Sequence, residues 1–391
     1  MEEKQNLKIL KLICLTLAAA AIIISGMAFY QHRNYLEEVV LGPGVTEVKT
    51  LGDYFEPLKG TINDSNIYFL DSGEPGATVM LIGRSHPEEP ATNLTAQLIV
   101  ENAEIETGRL IVVISANRSA STSSRPGEGY PLYFSIATEW GSKTFRMGDR
   151  WTHPLDSWPD PEVYVHYPSR QMLSYADIRN QNRTWPGRSD GTITEQTNYA
   201  FINLIREEGV GLFIDLHTAE LEYSVNNCIV THETGQDIAS MAAMLLTFEQ
   251  FEYPIGVEFS PPALRGLSHR EVGDHTDAIS LLFEAPTLIL DRIRGVTGEE
   301  LLLLGDDPFV RRAGEYGLLY VPMPEEGWPM VTRVARHIST LLEVLEQWNF
   351  NYPDNQIVAV NLPRYAEVKA NGIGFYYRNP ADYPAERIRY E

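Results

Sequence analysis

Short apolar runs alternate with amphipathic stretches along most of this chain. Runs with few polar positions have the length of buried strands, and they lie at 66–70, 77–83, 109–115, 212–216, 226–231, 278–286 and 356–360. Apolar residues at helical spacing lie at 92–102, 194–208, 235–251, 298–316 and 330–348. Apolar strands that alternate with helices predict an α/β domain with a parallel sheet covered on both faces.

The longest apolar run, 12–30, stands near the start of the chain and contains no charged residue. It approaches the ~20 residues that a membrane-spanning helix needs. Lys4, Lys8 and Lys11 precede it, and this excess of positive charge places the N-terminus in the cytoplasm and the remainder outside. No convincing small-x-small cleavage site follows, so we expect an uncleaved single-pass anchor rather than a signal peptide that releases a secreted protein.

Between 116 and 176 the periodicity disappears. This stretch is rich in Gly, Pro and Ser, but its many Trp and Tyr residues argue against disorder. We expect an ordered, aromatic flap over one end of the sheet. The predicted organisation is an anchor at 1–36, a linker at 37–65, a catalytic domain at 66–350 that includes the flap at 116–176, and a C-terminal extension at 351–391 packed on the domain.

Composition narrows the possible partners. The formal net charge of -22 leaves no basic stripe for phosphates, so we expect no nucleic-acid partner. The chain has two cysteines, and Cys14 lies in the apolar leader. Cys228 therefore has no partner for a disulfide and cannot form a thiolate cluster. Any metal would be held by histidine and carboxylate.

Two segments far apart in sequence carry residues suited to that task. The run 212–216 ends at His217, with Asp215 two residues before it, and strand ends are where α/β proteins bind ligands. The run 77–83 is followed by His86 and Glu89, whose spacing on a turn brings both side chains to one side. Together these three residues form the His₂Glu set of catalytic zinc sites.

A third segment adds Glu284, which lies inside the apolar run 278–286. A buried carboxylate is costly unless it is paired or functional. We interpret Glu284 as a general base that activates water and returns the proton to the leaving amine. The alternative is an ion pair with an arginine. Asn182 and Arg183, before the rigid turn Trp185-Pro186-Gly187, present donors suited to a substrate carboxylate.

The order His86-x-x-Glu89, Asn182-Arg183-x-Trp-Pro-Gly, Asp215-Leu-His217-Thr-Ala and Glu284 resembles the zinc carboxypeptidase-like superfamily. It is most similar to the succinylglutamate desuccinylase/aspartoacylase branch. The resemblance implies a three-layer α/β/α sandwich around a mixed, mostly parallel sheet. It also implies one Zn²⁺ on the metal triad (His86, Glu89, His217), Glu284 as base, and Asn182 and Arg183 as substrate grips.

A further arginine polarises the scissile carbonyl in such enzymes, and Arg179 is preferred here over Arg170. Where the family has a small residue after the first histidine, this chain has Pro87, followed by Glu88 as a second possible ligand.

The resemblance implies a zinc amide hydrolase for a small molecule or peptide with a free carboxylate. Deacylation of N-acyl amino acids is the first interpretation. The alternatives are a metallocarboxypeptidase acting on peptides or cell-wall peptides, and an inactive carboxylate-binding protein whose metal site is spoiled by Pro87.

Overall fold

The computed structural model describes residues 2–123, 131–249, 254–288 and 297–391. The chain divides into a first unit that ends at Leu36 and a second that begins at Glu37. In the first unit a single helix, α1, covers Glu2–Arg33. Its segment Lys4–Arg33 has a mean hydropathy of 2.4 and is long and apolar enough to cross a membrane. The apolar run in the sequence thus forms a helix that could be an anchor or a signal sequence.

The second unit contains the remaining helices and strands. In its described residues the helices are α2 (Ala91–Asn102), α3 (Arg118–Ser121), α4 (Ile193–Glu207), α5 (Gln236–Leu246), α6 (Ser268–His275), α7 (Glu299–Leu304), α8 (Pro308–Glu315), α9 (Met330–Asn351) and α10 (Tyr365–Asn371). The strands are β1 (Glu38–Val40), β2 (Val45–Thr50), β3 (Asn66–Asp71), β4 (Thr78–Ile82), β5 (Glu104–Thr107), β6 (Arg109–Val113), β7 (Tyr133–Thr138), β8 (Gly141–Arg146), β9 (Tyr164–Val165), β10 (Met172–Leu173), β11 (Leu212–Glu220), β12 (Cys228–Thr231), β13 (Gly256–Phe259), β14 (Ile279–Thr287), β15 (Val358–Val360) and β16 (Ile388–Tyr390).

Eight strands form the central sheet in the order β13-β12-β14-β11-β4-β6-β3-β2. The four central strands β14, β11, β4 and β6 run parallel to one another. On one side β3 and β2 continue the sheet antiparallel, and on the other β12 is antiparallel to β14 and parallel to β13. The mixed sheet of the predicted α/β fold is thereby confirmed.

Both faces of this sheet are buried, which explains the apolar runs in the sequence. In β4, Val79 and Leu81 pack with α2, α5 and α9 on one face. The intervening Met80 and Ile82 pack with α4 and α6 on the other. Because successive side chains of a strand point to opposite faces, helices cover the sheet on both sides and the architecture has the three layers expected.

Some segments differ from the sequence expectation. The range 37–65, expected as a linker, contains β1 and β2, and β2 is the edge strand of the central sheet. In the stretch 116–176, β7 and β8 form a hairpin whose Phe134 and Phe145 stack and are buried in the core; residues 124–130 lie outside the described residues. At the other end of the chain, Tyr365 and Val368 of α10 are buried in the same core cluster.

The helix predicted at 298–316 is two helices, α7 and α8. Gly305 follows α7 in the left-handed conformation, with φ of 60°. A Cβ on it would lie 2.0 Å from the backbone oxygen of Trp328. Pro308 then begins α8 and has no N–H to continue the first helix. The apolar spacing runs on through this corner, so periodicity alone does not reveal the break.

Candidate metal centre

The predicted ligands meet at the carboxyl ends of the central parallel strands. His86 and Glu89 lie in the turn between β4 and α2, and His217 lies on the neighbouring strand β11. One donor atom from each of these three side chains lies within 4.8 Å of the others, and all three side chains are buried. Strand pairing therefore joins segments that are remote in sequence.

Glu89 stands between the two imidazoles. Its Oε1 lies 2.8 Å from His86 Nδ1, and its Oε2 lies 3.1 Å from His217 Nδ1. The Thr218 backbone N–H also donates to Oε2, at 2.8 Å. The two imidazoles hold the pKa of Glu89 well below its ordinary value, although burial acts in the opposite direction. Glu89 thus offers a charged oxygen ligand between two imidazole nitrogens.

The far nitrogen of each imidazole is held by another buried side chain. His86 Nε2 lies 2.8 Å from Asn180 Oδ1, and His217 Nε2 lies 3.1 Å from Asp215 Oδ2. Ser85 and Ser268 donate to the two oxygens of Asp215, at 2.9 and 2.6 Å. Because each Nε2 faces an oxygen acceptor, it can donate a ring proton there, which leaves Nδ1 to bind a cation when the ring is neutral.

This arrangement allows a test of whether the residues fit a metal ion. Both Nδ1 atoms face oxygens of Glu89, and neutral imidazoles in this tautomer would set a lone pair against the carboxylate unless a proton or a cation lies between them. Two imidazoles and one carboxylate form the ligand set of catalytic zinc sites, and histidines backed by a carboxylate or an amide oxygen are typical of metal ligands. The residues therefore fit zinc.

Glu284 lies beside the triad on the adjacent strand β14, in register with His217. The side chain is partly exposed to the cavity, yet its Oε2 is buried and has no hydrogen-bond partner. Burial, assisted by the negative charge of Glu89, raises its pKa to about 8, although His217 acts in the opposite direction. The alternative of an ion pair with an arginine is not seen among the described residues.

Asn182 and Arg183 also line this cavity. Asn182 Oδ1 accepts the Ser268 N–H at 2.8 Å, and Arg183 Nη1 donates to the Asn182 carbonyl at 2.7 Å. Trp185, which follows, is buried against Phe201 and Phe213 and fixes the turn. Burial lowers the pKa of Arg183, and the described residues place no carboxylate within ion-pair distance of it. Its guanidinium is available to an anion.

The preferred polarising arginine is not in the cavity. Arg179 Nε pairs with Asp160 Oδ1 at 2.8 Å, and its Nη1 donates to the Thr152 carbonyl. With its guanidinium bound there, Arg179 does not line the cavity. The other candidate, Arg170, is exposed. Arg150 lines it instead. It stands in the aperiodic stretch 116–176, where the sequence gives no pattern that distinguishes one arginine from another.

Pro87 leaves His86 and Glu89 on the same side of the turn, with His86 Nδ1 2.8 Å from Glu89 Oε1. Glu88 points to Arg150 and forms an ion pair with it, which leaves Glu89 to face the histidines. Pro87 packs against the backbone of Gly148, where an added Cβ would lie 2.5 Å from the Pro87 Cβ. Glu88, considered as a competing ligand, is thus engaged elsewhere.

The remaining histidines divide between structure and cavity. His166, in the stretch 116–176, is buried and hydrogen-bonded to the Trp185 carbonyl at 2.6 Å, outside the cavity. His153 does not line the cavity either. His269, which no sequence pattern singles out, does line it and bonds through Nδ1 to Ser260 Oγ at 2.8 Å.

The cavity has a volume of about 400 Å³, within the range of small-molecule sites. Its polar lining includes the metal triad, Glu284, the two arginines, Glu220 and Glu258. Thr218, Tyr223 and Ser224 add hydroxyl groups. Its apolar lining is formed by Ala219, Val225, Val230, Phe259, Pro261, Leu264, Leu267 and Leu282. The arrangement brings a metal-ligand set, a protonatable carboxylate and a cation into one space large enough for a short peptide or an acyl amino acid.

No family model and no curated protein matches this chain. Among solved structures, a succinylglutamate desuccinylase from a Silicibacter species shares 16% identity over 56% of this chain and 53% of its own, with a TM-score of 0.33. A metallo-carboxypeptidase from Burkholderia cenocepacia shares 13% identity over 83% and 68%, with a TM-score of 0.43. A product-bound cell shape determinant protein from Helicobacter pylori shares 10% over 86% and 59%, with a TM-score of 0.42.

This chain spans about half the length of the first of these, and 55% of a similar aspartoacylase family protein from Mesorhizobium loti. With TM-scores below 0.5, no single likeness carries an argument about chemistry.

Proposed function

We propose that this protein is a zinc-dependent amide hydrolase acting on a substrate with a free carboxylate next to the scissile bond. The observation that carries the proposal is the meeting of His86, Glu89 and His217 beside Glu284 in one cavity. Buried charged groups gathered in a cleft, with perturbed pKa values, are typical of catalytic sites.

His86 Nδ1, His217 Nδ1 and one or both oxygens of Glu89 would hold the zinc ion. When bound, the ion supplies a Lewis acid that polarises the carbonyl and acidifies a water molecule. Asp215 and Asn180 keep the two imidazoles in the tautomer that presents Nδ1. The three ligand side chains thus already lie together, with their donor atoms within 4.8 Å of one another.

Glu284 acts as the proton carrier. Its free Oε2 accepts a proton from the attacking water and delivers it to the leaving nitrogen. The raised pKa of this carboxyl suits it to both steps, because a group that titrates near the working pH can take up and release a proton.

Arg183 binds the substrate carboxylate. A guanidinium presents two parallel donors that match a carboxylate, and this one has no anionic partner among the described residues. Asn182 supports it from the neighbouring position. Arg150 takes the role first given to Arg179, because it lines the cavity and can stabilise negative charge on the carbonyl oxygen.

Two substrate classes share this chemistry. N-acyl amino acids fit the motif resemblance. Peptides cleaved at the C-terminal residue are the second candidate, favoured by the cavity volume of about 400 Å³ and by the many apolar residues in its lining. An inactive carboxylate-binding protein is disfavoured because Pro87 leaves the turn competent and Glu284 uncompensated.

The apolar helix α1 supports a single-pass membrane anchor. Because three lysines precede this helix, we propose that the hydrolase lies on the extracytoplasmic side. A cleaved signal peptide, which would release the enzyme, is the alternative.

The test uses the full chain in detergent micelles, loaded with zinc and offered N-acyl amino acids and short peptides. We expect turnover by the wild type and a loss of at least about 10³-fold in kcat for Glu284→Gln, with zinc content unchanged. Glu315→Gln, on the exposed face of α8, is the control for the same chemical change. Full turnover by Glu284→Gln would refute the mechanism.

A further inference from the structure

We infer that the substrate carries one carboxylate next to an apolar side chain, and that dicarboxylic substrates are rejected. The inference rests on the proposed function and specifies its substrate class. It runs against the acidic amino acids that the family resemblance would suggest. Three features of the cavity carry it: the floor, the outer wall and the distribution of charge.

The floor next to the catalytic carboxylate is apolar. Leu282 lies two residues before Glu284 on β14, so both side chains point to the same face of the sheet. Val230 on β12 is in register with Leu282. Val230, Leu282 and Cys228 form a small cluster apart from the two main cores, and the first two line the cavity. A group resting there is in contact with hydrocarbon.

The outer wall is apolar as well. Phe259 and Leu264, in the segment between β13 and α6, are 54% and 43% exposed, and Pro261 and Leu267 line the same side. Large apolar side chains exposed together along a cavity indicate a binding surface for apolar groups. The floor residues and these side chains thus line one cavity.

Cations are scarce in this space. Arg150 and Arg183 are the arginines among the described lining residues, and no lysine lines the cavity in that part of the chain. Arg150 is paired with Glu88 and is assigned to the carbonyl oxygen in the proposed function, so Arg183 is the arginine left for a substrate carboxylate. His269 supplies no positive charge, because burial lowers its pKa to about 3.

Carboxyl groups outnumber guanidinium groups in this lining. Besides Glu89 and Glu284, the lining includes Glu220 and Glu258, and neither has a salt bridge to a described lysine or arginine. A second substrate carboxylate would meet these groups with no guanidinium to bind it. Burying an unpaired charge is costly, and like charges add repulsion. A substrate with a single carboxylate avoids both costs.

Leucine and aspartate provide a matched pair, because their side chains have nearly the same shape and differ in charge. With the zinc-loaded full chain, we expect kcat/KM for N-acetyl-leucine to exceed that for N-acetyl-aspartate by at least about 100-fold. The same ratio is expected for Ala-Ala-Leu over Ala-Ala-Asp. Equal or faster hydrolysis of the aspartate compounds would overturn the inference and leave the proposed function intact.

Binding separates the two proposals. Calorimetry with the zinc-loaded Glu284→Gln variant measures the affinity for N-acetyl-leucine and N-acetyl-aspartate without turnover. If the wild type hydrolyses neither compound but the variant binds the leucine compound at least about tenfold more tightly, the inference stands and the hydrolase proposal falls. Absence of a preference in binding overturns the inference whatever the activity.

A charge placed on the floor should shift the preference. Leu282→Arg is expected to lower the ratio of leucine to aspartate turnover at least about tenfold, whereas Leu282→Met, which conserves volume, should keep it. If Leu282→Arg does not fold, Phe259→Arg places the charge on the exposed wall. An unchanged ratio in a folded arginine variant contradicts the assignment of this space to the side chain of the substrate.

Discussion

Asp215 shows how one residue can set the chemistry of the site without being one of the proposed metal ligands. It is buried, accepts from Ser85 and Ser268, and lies 3.1 Å from His217 Nε2. The sequence suggested a functional histidine at this strand end because the apolar run stops there. It did not show the two serines, which come from segments far away in the chain.

Replacing Asp215 by Asn should weaken zinc binding. The amide keeps the shape but loses the charge that fixes the imidazole, and changes of this kind typically reduce metal affinity 10- to 100-fold. Competition with a chromophoric chelator measures the affinity. Asp237→Asn, on the exposed side of α5, serves as the control, and equal affinities in the two variants would refute the role given to Asp215.

Arg150 marks the limit of sequence reasoning at this scale. Its position in the cavity depends on the path of an aperiodic segment, and its partner Glu88 was seen only as a competing ligand. Arg179 was favoured because it is near the Asn182-Arg183 turn in sequence. The structure pairs it with Asp160, because proximity along a chain does not fix the direction of a long side chain.

Among the elements, buried strands were predictable and exposed ones were not. The central strands are apolar on both faces and so appear as continuous runs. By contrast, β2 (Val-Thr-Glu-Val-Lys-Thr) and β13 (Gly-Val-Glu-Phe) lie at the sheet edges and are largely exposed. The helix α6, which carries Ser268 and His269 into the site, is short and polar. These elements form through tertiary contacts that local pattern does not encode.

The turn after β4 depends on an ion pair with the segment 37–65. Arg84 has a positive φ of 57°, an uncommon conformation for a residue with a side chain. Its guanidinium binds both oxygens of Glu37, at 2.9 and 2.7 Å, and both side chains are fully buried. The first strand region of the second unit thereby holds the turn that presents His86.

Glu37→Ala should therefore be strongly destabilising. Removing one partner leaves a buried, uncompensated guanidinium, which typically costs 3–5 kcal/mol. Urea denaturation of the full chain in micelles measures the free energy of unfolding. Glu56→Ala, at an exposed carboxylate, should change it by less than about 0.5 kcal/mol. Similar values for both variants would show that the pair does not support the turn.

Gly305 offers a second test at the level of elements. Gly305→Ala combines a positive φ with a close contact to the Trp328 oxygen, whereas Gly60→Ala has a φ of 73° and no atom within 4 Å. Gly60→Ala should lower the free energy of unfolding by about 1 kcal/mol from backbone strain alone. Gly305→Ala should lower it clearly more. Equal losses of stability in thermal denaturation would mean that the backbone between α7 and α8 can shift to accommodate the added Cβ at little cost.

At the scale of the whole molecule, zinc should stabilise the fold. A ligand that binds the native state alone stabilises it by about 2.7 kcal/mol when its concentration is 100 times Kd. Thermal denaturation of the full chain with zinc and with a chelator should show this difference, and His217→Ala should abolish it. A zinc-induced increase that persists in His217→Ala would place the stabilising ion elsewhere.

The central claim is that His86, Glu89 and His217 bind one zinc ion beside Glu284. Zinc-edge X-ray absorption on the zinc-loaded full chain tests it most directly. The account predicts one zinc per chain with two imidazole nitrogens at about 2.0–2.1 Å and oxygen ligands, and no such shell in His217→Ala. An oxygen-only shell, or a spectrum unchanged by His217→Ala, would contradict it.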